Sequence, residues 1–115
     1  VRKTGDRNPV AYSVFIDPPL SHIGITEKTA RRNNLDVRVN RIAVASIPRM
    51  RTIGETDGLL KAVIDARTNR ILGCRLSEVI NTVAVAMKSG RTAAFLRDFV
   101  FTHPSVSEAL NDLFV

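Results

Sequence analysis

Apolar positions change their spacing several times along the chain, and each change marks an element. Val10 to Ile16 is a run rich in β-formers, closed by Asp17-Pro18-Pro19, where two prolines cannot donate to a ladder; one strand and then a turn are predicted. Thr26 is placed to cap a short helix running to Asn33, with Glu27 in its first turn, where a carboxylate suits the positive helix end, and Arg31 and Arg32 in its last. From Asp36 the pattern turns to alternation. Val37, Val39, Ile42, Val44 and Ile47 predict a second strand ending at Pro48, with a bulge near Arg41 where the phase slips, and Arg49 to Asp57 reads as a loop.

Gly58 to Asp65 and Arg70 to Leu76 are two apolar runs joined by Ala-Arg-Thr-Asn, which predicts a hairpin. Beyond them the period becomes helical. Ser77 is placed to cap a helix that puts Val79, Ile80, Val83, Ala84 and Met87 on one face and stops at Gly90. Thr92 opens a second helix with Phe95, Leu96 and Phe99 on one side. Pro104 opens a third, with Val106, Ala109, Leu110, Leu113 and Phe114 aligned. Strands come first and helices last, so the fold class is α+β: an antiparallel β-sheet with helices packed on one face.

Composition narrows the function classes. At 115 residues and 44% hydrophobic content, folding buries roughly two-thirds of the open chain's surface, enough for one core without disulfides or a metal. Cys74 is the only cysteine, which excludes an internal disulfide and favours a reducing compartment, here taken as cytoplasmic. Two histidines and one cysteine match no zinc-ligand spacing, so no metal site is expected. Uncharged stretches reach nine residues, as in Val79 to Met87, where a spanning helix needs about 18. The chain begins without Met, which points to a piece of a longer polypeptide, with residues 1–8 as a linker from upstream domains and 9–115 as the domain.

The net charge of +6 is unevenly placed: residues 1–51 hold ten basic and four acidic side chains, the remainder seven of each. Nucleic-acid binding would need stacking groups beside that charge, yet Tyr12 is the only Tyr, Trp is absent and the five Phe fall mainly at core-type positions. Thirteen Arg against four Lys favour fork-shaped contacts with carboxylates at a subunit or domain interface. Arg49 and Arg51, flanking Met50, suit either an anion or a solvated loop or intersubunit salt bridge.

No glycine-rich phosphate loop, zinc helix or paired-cysteine motif occurs. What remains is Phe101-Thr102-His103-Pro104-Ser105-Val106-Ser107-Glu108, a histidine just before a helix-opening proline with a carboxylate five residues on. If Glu108 reaches a ring nitrogen it fixes the tautomer and stops the ring from rotating, leaving the other nitrogen for general acid-base work. The plain alternative is a turn histidine and a solvated helix glutamate. His22, with no carboxylate at comparable spacing, reads as structural, and Cys74 as a buried small hydrophobe.

Residues 101–110, Phe-Thr-His-Pro-Ser-Val-Ser-Glu-Ala-Leu, resemble the C-terminal signature of the flavin-dependent pyridine nucleotide-disulfide oxidoreductases, the family of glutathione reductase, lipoamide dehydrogenase and mercuric reductase. Val14-Phe15-Ile16-Asp17-Pro18 with His22-Ile23-Gly24-Ile25-Thr26-Glu27, then Gly58-Leu59-Leu60-Lys61, Ile71-Leu72-Gly73 and the helix from Ser77 follow in the order of that family's dimerisation domain, over residues 9–115. The resemblance implies a homodimer in which His103 reaches the partner's active site as acid-base for a redox-active thiol. Glu108 would orient it, and His103 and Pro104 would contact the flavin across the dimer.

It also implies FAD and NAD(P)H as cofactors of a longer parent, with none held by this chain, which alone should be inactive. Three features depart from or refine the pattern. Leu76 runs directly into Ser77-Glu78 where relatives usually carry several more residues, and Ser105 stands where many have Thr. Pro18-Pro19-Leu20-Ser21 and Leu110-Asn111-Asp112-Leu113-Phe114 resemble the bacterial branch associated with reactive-chlorine defence and metal-ion reduction. The competing reading is a free-standing basic interaction module that binds an acidic partner or RNA.

Overall fold

The computed structural model describes residues 10–14, 20–54, 57–76 and 79–115. Five strands form one antiparallel sheet: β1 (Tyr12–Val14), β2 (Leu20–Gly24), β3 (Val37–Ala43), β4 (Leu59–Asp65) and β5 (Ile71–Leu76), in the order β1-β2-β5-β4-β3. Five short helices accompany it: α1 (Glu27–Arg32), α2 (Pro48–Ile53), α3 (Ile80–Lys88), α4 (Ala93–Asp98) and α5 (Ala109–Leu113). The expected antiparallel sheet with helices is present, and α3, α4 and α5 share its inner face. There Ile23, Leu60, Ala62, Ile64, Cys74 and Leu76 pack against Ile80, Val83, Leu96, Leu110, Leu113 and Phe114. The short α1 lies over the opposite face.

Strand β2 was not foreseen, because it turns only Ser21 and Ile23 inward and so shows almost no alternation. It is drawn in beside β5 by close backbone approach. A Cβ on Gly73 would fall on the Ile25 carbonyl and one on Gly24 on the Leu72 carbonyl, so this crossing demands glycine on both strands. The expected first strand is described only over β1; its Phe15 and Ile16, the Asp17-Pro18-Pro19 turn, the linker 1–8 and the Ser77 cap lie outside the described residues.

Three expectations in the middle of the chain are corrected. No bulge occurs at Arg41: β3 pairs with β4 without a break from Val37↔Asp65 to Ala43↔Leu59, and the irregularity sits between Val63 and Ile64 opposite β5. The apparent phase slip arises because Asn40 occupies an inward position, where its amide donates to the Leu113 and Val115 carbonyls at 2.9 and 3.0 Å. The strand ends at Ala43, and Val44 to Ser46 form a single 3₁₀ turn. The expected loop from Arg49 contains α2, opened by Pro48 and closed by left-handed Gly54, signals that favour a helix even in so short a segment.

Two C-terminal expectations also change. Along α4, Leu96 turns inward but Phe95 and Phe99 stay 40% and 46% exposed, so the three do not share a buried side. Pro104 does not open a helix. Ser105 precedes a 3₁₀ turn, Val106–Glu108, and α5 begins only at Ala109. Helix α3 matches its predicted face, with Ala86 added to the buried set, and ends at left-handed Gly90. Among the described residues, no helix is long and apolar enough to cross a membrane.

Helix α1 is clamped to the outer sheet face by one carboxylate. Glu27 accepts from Lys61 at 3.0 Å, Arg31 at 3.0 Å and Arg41 at 2.7 Å, and its pKa is lowered to about 2, first by Lys61 and then by Arg31 and Arg41. A carboxylate depressed by folding stabilises the native state above its ordinary value of 4.5 and loses that contribution as pH falls through the folded value near 2. Thermal unfolding of Glu27→Gln is therefore expected at lower temperature than wild type at neutral pH. The two melting temperatures should converge as pH is lowered through this window; parallel curves would show that Glu27 does not clamp the helix.

Candidate functional site

The irregular stretch Phe99 to Ser105 carries the histidine singled out from the sequence. Among the described residues Val100 to Pro104 form no backbone-to-backbone hydrogen bond, and side chains hold the segment. Three aromatic rings line its start: Phe95 and Phe99 have centroids 5.7 Å apart, and Phe99 and Phe101 4.8 Å. At its end His103 and Glu108 meet. Nδ1 of His103 lies 2.8 Å from Oε1 and 3.0 Å from Oε2 of Glu108, and Oε2 also accepts from the Ser105 amide at 3.0 Å. The His103–Pro104 peptide bond is cis.

The two partners differ in exposure. The His103 side chain is 73% exposed and that of Glu108 only 30%. The Ser105 amide, and after it the His103 ring, hold the Glu108 carboxyl below its ordinary value, so at neutral pH it is a carboxylate. A carboxylate only accepts, so the hydrogen between the two belongs to Nδ1, and in the neutral ring Nε2 is left with its lone pair free. His103 stands two residues ahead of Ser105, the N-cap of the three-residue 3₁₀ turn.

The other candidates fall elsewhere. His22 stays on the outer sheet face, its Nε2 3.0 Å from the Gly24 carbonyl and its ring 5.7 Å from that of Tyr12, a structural placement. Cys74 is buried in β5, and burial pushes its thiol well above the usual range, which suits an inert core residue. Arg49 and Arg51 are exposed on α2 and form no ion pair among the described residues. No three His, Cys, Asp or Glu side chains converge there as a metal site would require.

Sequence reasoning missed two asparagines. Asn111 on α5 donates to the carbonyls of Leu96, Arg97 and Phe99, and Asn40 ties the end of α5 to β3. The available signal was a polar amide inside an otherwise apolar pattern, where Asn is a poor choice unless it bonds to backbone. Also unforeseen is an exposed apolar surface: Val85, Phe95 and Phe99, 66%, 40% and 46% exposed, line a cavity of about 480 Å³, and Val100, next in the chain after Phe99, is 90% exposed. The Arg91 guanidinium lies 5.1 Å from the Phe95 ring centroid.

Fold and pair together define an α+β domain that presents a carboxylate-oriented histidine just ahead of its last helix. Residues 10–114 match the family model of the pyridine nucleotide-disulphide oxidoreductase dimerisation domain, and the chain belongs to that family. It is 49% identical over 118 residues to the probable pyridine nucleotide-disulfide oxidoreductase RclA of Escherichia coli (strain K12), an overlap covering 98% of this chain and 27% of that protein. With a dihydrolipoyl dehydrogenase of Rhizobium etli the identity is 30% over 112 residues, covering 93% and 23%.

The solved structure of the HOCl-induced flavoprotein disulfide reductase RclA from Escherichia coli matches with a TM-score of 0.93 at 49% identity, over 98% of this chain and 27% of that one. LpdA from Mycobacterium tuberculosis matches with a TM-score of 0.84 at 21% identity, over 91% and 24%, a likeness of fold alone. The chain thus spans about a quarter of the length of these relatives.

The Ser105 amide lowers the Glu108 carboxyl more than the His103 ring does. In His103→Ala the Glu108 carboxyl, followed by carbon-13 NMR against pH, is expected to keep titrating below its ordinary value. Full return to that value would mean the ring, and not the amide, holds the carboxylate.

Proposed function

We propose that this chain is the dimerisation domain of an FAD-dependent NAD(P)H disulfide-type oxidoreductase, and that His103, oriented by Glu108, serves as acid-base in the active site of the partner subunit. The observation that carries the reading is the two-oxygen bond at 2.8 and 3.0 Å on a ring that stays 73% exposed. A histidine so held turns Nε2 outward with its lone pair free. That atom takes the proton of a thiol as the thiolate forms and returns it on the reverse step, while the Glu108 carboxylate stabilises the intervening imidazolium. Residues 1–8 are the linker to upstream domains, and 9–115 the domain itself.

FAD can be tested against the residues present. The chain has no glycine-rich loop to cradle a pyrophosphate, and among the described residues the segment offers one exposed edge, His103 and Pro104, and no enclosing pocket there. That edge fits a contact with a cofactor held by other domains. When bound, FAD carries electrons between NAD(P)H and a disulfide; His103 and Pro104 would border it. The lone buried Cys74 leaves any redox-active pair to the longer protein and suits a reducing cytoplasm.

The occupant of the apolar surface is a second copy of this chain. Val85, Phe95 and Phe99 line one exposed apolar cavity instead of standing as isolated surface residues, and the chain runs from Phe99 to His103 in four residues. Part of the basic surface has a partner within the chain, since Arg31, Arg41 and Lys61 all pair with Glu27, which offsets one of their three charges.

Two experiments test this reading. By equilibrium sedimentation the chain should dimerise, and Phe99→Asp or Val85→Asp should weaken the dimer by at least about tenfold, as loss of a central apolar anchor does; wild-type monomer at every concentration overturns the dimer. In the full-length flavoprotein, His103→Ala should keep its flavin and lose about 10²- to 10⁴-fold in turnover, with a smaller loss in Glu108→Gln. Wild-type turnover in His103→Ala overturns the acid-base role.

A further inference from the structure

We propose that Asn111 is a positioning residue for His103, an inference that rests on the acid-base reading above. Its side-chain nitrogen donates to three main-chain carbonyls, Leu96 and Arg97 at 2.9 Å and Phe99 at 2.8 Å. Leu96 and Arg97 belong to the last turn of α4, whose carbonyls have no partner inside the helix, and Phe99 is the residue at which the chain leaves it. An NH₂ group has two hydrogens, so three acceptors at these distances require one hydrogen to be shared. The Asn111 amide thus replaces the backbone cap that α4 lacks.

The consequence lies four residues on. Within the stretch from Phe99 to Ser105, Val100 to Pro104 make no backbone-to-backbone bond among the described residues, so they are located by what grips the two ends. Asn111 grips the start at the Phe99 carbonyl. Glu108 grips the finish at the Ser105 amide and at His103 Nδ1. Both grips come from one short stretch, the 3₁₀ turn and α5 that follows it, and α5 is seated on the sheet through buried Leu110 and Leu113. Release of the first grip frees Phe99 and Phe101 to move and lets His103 swing away from Glu108, although neither histidine nor glutamate has been changed. General acid-base groups tolerate little of this, since a misplacement of ~1 Å can cost about 10²-fold in rate.

The test reads the histidine directly. In nitrogen-15 NMR of the 115-residue protein with the ring neutral, wild-type His103 should show the Nδ1-protonated tautomer that Glu108 selects. Asn111→Leu, which keeps the volume and removes the donor, should shift His103 towards a mixture with the Nε2-protonated form, and Asn111→Gln should restore part of the wild-type pattern. Asn111→Ala removes the same donor with less bulk, and its spectrum is read the same way should the Leu variant not fold. Asn40→Leu breaks the bonds at the far end of α5 and controls for general loosening.

A wild-type tautomer in both donor-deleted variants overturns the proposal. So does an equal shift in Asn40→Leu, which would reduce Asn111 to an ordinary structural contact. In the full-length flavoprotein, Asn111→Leu should lower kcat by about 10- to 100-fold with flavin retained and KM little changed. If His103→Ala itself leaves turnover intact, the acid-base reading fails while the tautomer shift still stands or falls on its own.

Discussion

Everything at the candidate site depends on the seating of α5. This helix has only five residues, far too few to persist by itself, and its stability comes from burial. Leu110 and Leu113 are fully buried and Phe114 nearly so; at roughly 1.5–3 kcal/mol for each such side chain, the apolar seat outweighs any single hydrogen bond nearby. Asn40 then fixes the helix end against β3. With α5 so placed, its polar side chains act outward: Asn111 holds the end of α4, and Glu108, one residue ahead of the helix, holds the histidine. The irregular segment inherits order from a neighbour because it has no ladder of its own.

The two faces of the sheet are held by different forces. The inner face is apolar and carries α3, α4 and α5. The outer face carries α1 through a charge cluster, in which Lys61 and Arg41, directly opposite each other on β4 and β3, would repel without the Glu27 carboxylate between them. That arrangement explains part of the basic excess of the first half of the chain. Glu27 is only 17% exposed, so its ion pairs are better shielded from salt than ordinary surface pairs.

How much of this was legible in the sequence follows from the range of each signal. The β4–β5 hairpin, α1 with its Thr26 cap and the apolar face of α3 are set by local periodicity and capping, and all could be read directly. β2 could not, since it is held by the glycine crossing with β5 and not by its own pattern. Asn40 misled for a related reason: its inward position is justified by carbonyls 73 and 75 residues away. The His103–Glu108 pair was legible because its two members are five residues apart in one turn. The Asn111 contacts, 12 to 15 residues away, required the packing of one helix on another.

The exposure pattern links assembly to chemistry. The His103 side chain is 73% exposed in the single chain, where water competes for Nε2 and weakens its coupling to the carboxylate behind it. The apolar side chains that most need covering, Phe99 and Val100, are on the same irregular segment and end three residues before the histidine. A surface that covers them and extends over His103 would remove water from the ring and strengthen the Glu108 interaction in the lower dielectric that results. On the proposed acid-base role, such a covering surface would make His103 more effective, the property that a site divided between two subunits requires.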